Sequence, residues 1–153
     1  MEYRETQEEN NLFYTCSLIE YIARKTHNQK KDVISVIGID GVKKIYELAG
    51  ILHCENIEKV VCEHIENYNI EDGIFDYKKD YIYKIPSSFD IGRVYQRLIL
   101  GVAQEKKQDY IQTLFEVFNS WIIDKLDNFN SDLYYLNPDY IFACYLEGKI
   151  LEY

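Results

Sequence analysis

Asn11-Leu-Phe-Tyr-Thr-Cys-Ser-Leu-Ile-Glu-Tyr-Ile-Ala-Arg-Lys25 is the stretch that decides the fold. Leu12, Cys16, Ile19, Ile22 and Ala23 recur there at helical steps, which makes one apolar stripe. Working outward, polar Thr26-His27-Asn28-Gln29 interrupts the pattern. A short segment over residues 30–37 is then expected to bury Val33, Val36 and Ile37 and to end at Gly38. Asp40 reads as the cap of a third helix with Val42, Ile45, Tyr46, Ala49 and Leu52 inside. Asn56 reads as the cap of a fourth, carrying Ile57, Val60, Val61, His64, Ile65 and Tyr68.

The pattern breaks between residues 69 and 87. Glu71-Asp72-Gly73 is turn chemistry, and the partial alternation from Tyr77 to Ile85 has no second strand to pair with, so a connector is expected. Helical period returns with Ser88 or Asp90 as cap and Ile91, Val94, Tyr95, Leu98, Ile99 and Val102 inside. One longer helix is expected over 108–127, with Ile111, Leu114, Phe115, Phe118, Ile122 and Leu126 at its seam. Asn137 at the cap, Pro138 at the first helical position and Gly148 past the end punctuate the last. The predicted fold is all-α: a single-domain bundle of six or seven helices with an irregular connector near residues 69–87. An acidic tail is expected at 1–10, an N-terminal lobe at 11–68 and a C-terminal lobe at 88–150.

The chain has 153 residues, one domain's worth, and its 47% apolar content excludes global disorder. Seven glycines and two prolines argue against a turn-rich β-sandwich. Seventeen basic against 26 acidic residues leave a net charge of −9, which opposes direct nucleic-acid binding. The acidic first ten residues contain no apolar core of a signal peptide, and no apolar run approaches the ~20 residues of a membrane helix. A cytoplasmic protein is therefore expected, with Cys16, Cys54, Cys62 and Cys144 as reduced thiols in apolar positions.

Few residues suggest bond-making chemistry. His27 reads as solvated. His53-Cys54 and Cys62/His64 have the ligand types of a zinc site, but Cys62 and His64 point to opposite sides of a helix, so neither metal nor cofactor is expected. No nucleophile elbow or phosphate-cradling glycine loop occurs. Glu63, Glu66, Glu71 and Asp72 read as a solvated face. The unusual feature is tyrosine, 15 of 153 residues. Tyr77, Tyr81 and Tyr83 cluster in the connector, and Tyr134, Tyr135 and Tyr140 near the last helix. Tyrosine joins an apolar body to a polar tip, a pairing favoured at recognition surfaces. Asp80 and Asp132 in the same segments would steer a basic partner.

The stretch quoted at the outset, with Ile45-Tyr-Glu-Leu-Ala49, His53-Cys-Glu-Asn-Ile57, Ile85-Pro86, Asp90-Ile-Gly-Arg-Val-Tyr95 and Asn119-Ser-Trp-Ile122, resembles a group of uncharacterised bacterial all-helical proteins. The N-terminal lobe also resembles a helical domain encoded beside ADP-ribosyltransferase-like toxins. By gene neighbourhood alone that resemblance implies an antitoxin or immunity-type partner; it transfers no catalytic residue.

The expected function is a non-enzymatic acidic module that covers a basic surface of a toxin or nucleic-acid-binding protein. Its contacts would be Tyr77, Asp80, Tyr81, Tyr83, Asp132, Tyr134, Tyr135 and Tyr140. The first alternative is a small nucleotide- or phosphate-handling enzyme in which Arg93 and Arg97, four apart on one helix, work with His53 or His64. The second is a homo-oligomeric scaffold, a homodimer in its simplest form, using Phe115, Phe118 and Trp121.

Overall fold

A computed structural model describes residues 5–78, 84–128 and 133–151. Its first helix is opened by Thr6, whose hydroxyl accepts the backbone N–H of Glu9 at 3.1 Å. Glu8 and Glu9 complement the positive end of the helix dipole. α1 (Gln7–Thr26) thus starts ahead of the Asn11 that periodicity marks. Every residue from Tyr14 to Glu20 is buried, so the single stripe expected there is a helix enclosed on all sides. The hydroxyls of Thr15 and Ser17 survive this burial by donating to the carbonyls of Asn11 and Phe13, at 2.7 and 2.8 Å.

α2 (Lys30–Leu52) is kinked at Gly38, whose φ of 80° and ψ of 166° only glycine adopts readily. The two segments expected on either side of Gly38 are thus two helices meeting at a sharp kink, with Gly38 instead of Asp40 as the non-helical residue before the second. Val33, Ile34 and Ile37 are buried, but Val36 is 50% exposed. It lies roughly 100° around the helix from the middle of that stripe, which corrects its expected burial. α3 (Ile57–Asn67) is capped by Asn56, which accepts from the Glu58 N–H.

The cap of α4 (Ser88–Lys106) is Ser87 instead of Ser88 or Asp90. Ser87 and Asp90 form a reciprocal capping box, and Ser88 is buried at the first helical position. The single helix expected over 108–127 is two, α5 (Tyr110–Phe118) and α6 (Ile122–Leu126). Asn119 Nδ2 donates to the Phe115 carbonyl at 2.8 Å and Ser120 Oγ to that of Val117 at 2.6 Å, so side chains compete with the next helical turn. A 3-10 turn (Leu133–Tyr135) precedes α7 (Pro138–Glu147), which has Asn137, Pro138 and Gly148 in the expected places.

The fold is an all-α bundle of seven helices, with no strand among the described residues. α1 is its axis and packs on α2, α3 and α4; α4 also packs on α5 and α7. The α1–α4 crossing depends on Gly92: a Cβ there would lie 2.0 Å from Ser17 Oγ and 2.9 Å from its backbone nitrogen. Near the far side of α4, Tyr95 meets the buried Phe118 edge-on at 5.1 Å. Residues 69–78 and 84–87 are irregular. The Gly73 and Phe75 N–H groups tie the first of these stretches to the carbonyls of Thr26 and His27, both at 2.8 Å. No helix of the described residues is long and apolar enough to cross a membrane.

Candidate functional site

Of the side chains expected to meet a partner, Asp80, Tyr81, Tyr83 and Asp132 lie outside the described residues. Tyr77 is half-buried, with the Arg24 guanidinium 4.6 Å from its ring centroid. Tyr134 is half-buried against the core, and burial first, then Asp90 and Tyr135, push its phenol up to about 12. Arg24 acts on it in the opposite sense, so that one guanidinium neighbours Tyr77 and electrostatically reaches Tyr134. Tyr135 is 59% exposed and edge-on to Tyr134 at 4.9 Å. Tyr140 packs against the core and donates its hydroxyl to the Leu151 carbonyl.

The arginines of the alternative reading face different neighbours. Arg93 pairs with Glu5, donates to Gln96 Oε1 at 2.9 Å and stacks 3.8 Å from the centroid of Phe13. Arg97 is exposed and borders a hollow of about 190 Å³ with Tyr134 and Pro138. His64 donates Nδ1–H to the Val60 carbonyl at 2.8 Å and stacks on Tyr68. Among the described residues no three His, Cys, Asp or Glu side chains converge as a metal site would require. Cys16 and Cys144 are buried, whereas Cys54 and Cys62 are exposed, which corrects the expectation of apolar positions for all four. Phe118 is wholly buried, and Phe115 and Trp121 pack partly buried on the same core.

The charged groups inside the bundle pair with one another, although Arg24 Nη2 is buried without a hydrogen-bond partner. Lys30 Nζ lies 2.8 Å from Glu20 Oε2 and 2.7 Å from Asp127 Oδ2, with the Tyr95 ring centroid 4.9 Å away. Tyr95 donates its hydroxyl to Asp127 Oδ1 at 2.8 Å, and Arg24 Nε to Glu20 Oε1 at 3.1 Å. Burial opposes charge on both Glu20 and Lys30, but their partners outweigh it: Glu20 is held below its ordinary value and Lys30 above. Asp127 is pushed up by burial and by Glu20, against the pull of Lys30. The remaining space beside the cluster is about 10 Å³, too little for a ligand.

A different arrangement exists near the other end of α1. Phe13, Tyr14, Ala49, Ile57 and Phe89 give the apolar part of the wall of a cavity of about 400 Å³, in the range that takes small ligands. Gln7, Asn10, Asn11, His53 and Glu55 add polar groups around it. Gln7 Nε2 donates to Asn11 Oδ1 at 2.7 Å, and His53 donates Nδ1–H to the Gly50 carbonyl at 2.8 Å, leaving Nε2 as acceptor in the neutral ring. Tyr14 is 8% exposed, and its hydroxyl is buried without a hydrogen-bond partner. Burial, then the nearby Glu55 carboxylate, push that phenol up to about 12, so it keeps its proton.

Among the described residues, a strongly acidic stretch stands on the exterior. Between positions 55 and 76 seven acidic side chains stand against one lysine, Lys59, and all seven are exposed. Ile74, among them, is fully exposed, at 102%. The sequence signal for this face is the charge run that was expected to be merely solvated; the signal that separates it is the apolar side chain left out in its midst. No family model, curated protein or solved structure matches the chain.

Proposed function

We propose that this protein is a non-enzymatic acidic binding module that covers a basic surface of a partner protein, in the manner of an antitoxin or inhibitor. The observation that carries the reading is the exposed run from Glu55 to Asp76, with unburied Ile74 inside it. Carboxylates there speed encounter with a basic partner and set its orientation, and the apolar side chain supplies area to bury once contact is made. Tyr77, beside the end of this run, and Tyr135 add amphipathic rings. The likeness of the N-terminal lobe to a domain encoded beside toxin genes leads, by neighbourhood alone, to the same class of partner. The interior supports the non-enzymatic part of the reading: its buried lysine and carboxylates are hydrogen-bonded to each other.

Co-expression with the products of the adjacent genes tests this. A basic neighbour is expected to copurify, with its toxicity suppressed. In that complex, Glu63→Lys combined with Glu66→Lys is expected to slow association severalfold and to make it less sensitive to salt, since less attraction is left to screen. Tyr135→Ala is expected to cost about 2 kcal/mol of affinity if that ring is central to the contact. If no neighbour copurifies and none has its toxicity altered, the proposal fails.

A further inference from the structure

The cavity bounded by α1, the end of α2 and the start of α4 has the chemistry of a site for a small organic cation. We infer that it binds a primary amine carrying an aromatic or similarly flat apolar body, with the body among Phe13, Ile57 and Phe89 and the ammonium toward Glu55 and Tyr14. Three observations carry this. The volume, about 400 Å³, and the mostly apolar wall fit a body of one ring and a short chain. The Tyr14 hydroxyl, more than nine-tenths buried with its residue, has no protein partner, and a buried polar group left that way costs free energy that a ligand hydrogen bond restores. Among the lining side chains Glu55 is an anion, and neither lysine nor arginine is present.

The third point sets the sign of the ligand. An anionic ligand would accept from the Tyr14 hydroxyl, the amide N–H groups and a His53 N–H, but it would meet the Glu55 carboxylate with no lysine or arginine on the wall to balance its charge. The nearest guanidinium, Arg93, stacks on Phe13 but is already paired with Glu5. An ammonium gains the attraction of Glu55, the electron-rich ring faces and the carbonyl oxygens of Asn10 and Asn11. The inference does not rest on the partner reading: the cavity, lined from α1, the end of α2, the α2–α3 turn, the start of α3 and the start of α4, shares only Glu55 with the acidic run.

Three probes of nearly equal shape separate charge from shape: 2-phenylethylamine, 2-phenylethanol and 3-phenylpropanoate. Each is titrated at millimolar concentration into the full chain while backbone amide resonances are followed. The amine is expected to perturb Asn10, Asn11 and Gly50 and to bind about three- to tenfold more tightly than the alcohol, with the carboxylate weakest. Glu55→Gln is expected to bring the amine down to the level of the alcohol. Gly50→Leu is the blocking variant: a Cβ at Gly50 meets only Gln7 Nε2 at 3.5 Å, so the helix accepts it and the larger side chain fills the cavity mouth. That variant is expected to abolish binding of both amine and alcohol. Carboxylate binding equal to the amine's overturns the charge assignment. Binding untouched by Gly50→Leu, or the absence of binding by any probe, overturns the site itself.

Discussion

α1 serves two polar regions, one toward each end, and they solve the same problem oppositely. Toward its C-terminus, Glu20 and Arg24 belong to a cluster in which Lys30, Asp127 and Tyr95 answer one another at 2.7–3.1 Å. Toward its N-terminus, the Tyr14 hydroxyl is equally buried and has no answer. About 10 Å³ is left beside the first and about 400 Å³ beside the second. A polar group closed by its own chain acts as a clasp; one without a partner, on a residue that lines a cavity, leaves a hydrogen bond unmade.

The largest test of this contrast removes the cation at the centre of the clasp. Lys30→Met should destabilise the fold by about 3 kcal/mol in urea unfolding, because half-buried Asp127 loses its counter-charge and buried Glu20 keeps only Arg24. Adding Asp127→Asn in the same chain should restore part of that loss, since the amide needs no counter-charge and its oxygen still accepts from Tyr95. Deleting the same atom in both regions is the sharper comparison. Tyr95→Phe should cost about 1.5–3 kcal/mol, since Asp127 loses a charge-assisted hydrogen bond. Tyr14→Phe should cost nothing and should raise stability by up to about 1 kcal/mol, since it removes a hydroxyl with no partner. Opposite signs for the two Tyr→Phe changes support the contrast, and equal losses abolish it.

Acid separates the regions in another way. Glu20 is held below its ordinary value of 4.5, so its contribution is present above that pH and is lost as pH falls through the folded value. The stability gap between the native chain and Glu20→Gln should therefore narrow below about pH 4.5. Lys30, held above its ordinary 10.5, should keep its contribution up to that pH and lose it beyond. The smallest expected effect is Gly50→Ala at the cavity mouth, a gain of about 0.5–1 kcal/mol from helix propensity alone, read as a small rise in Tm.

Local chemistry was legible in the sequence, and long-range pairing was not. Asn56, Asn137, Pro138 and Gly148 announce helix ends because capping acts within three residues. Gly38 announces the bend for the same reason. The cut between α5 and α6 was hidden, since Asn119 and Ser120 are acceptable in a helix and break it only when both side chains turn to the preceding carbonyls. Lys30 and Asp127 meet across 97 residues, so neither position by itself marks the clasp. The cavity was equally unreadable, because its wall combines the flank of α1, the last turn of α2, the turn into α3 and the first turn of α4.

One absent carbon atom ties the two regions together. Phe89, on the wall of the open cavity, and Tyr95, in the clasp, stand on the same helix, on either side of Gly92. A methyl group at that position would act as a wedge between the two rods, tilting Phe89 and Tyr95 by a common lever. Reshaping the recess without loosening the bundle therefore means changing its rim, since the pivot beneath it is shared with the part that holds the bundle shut.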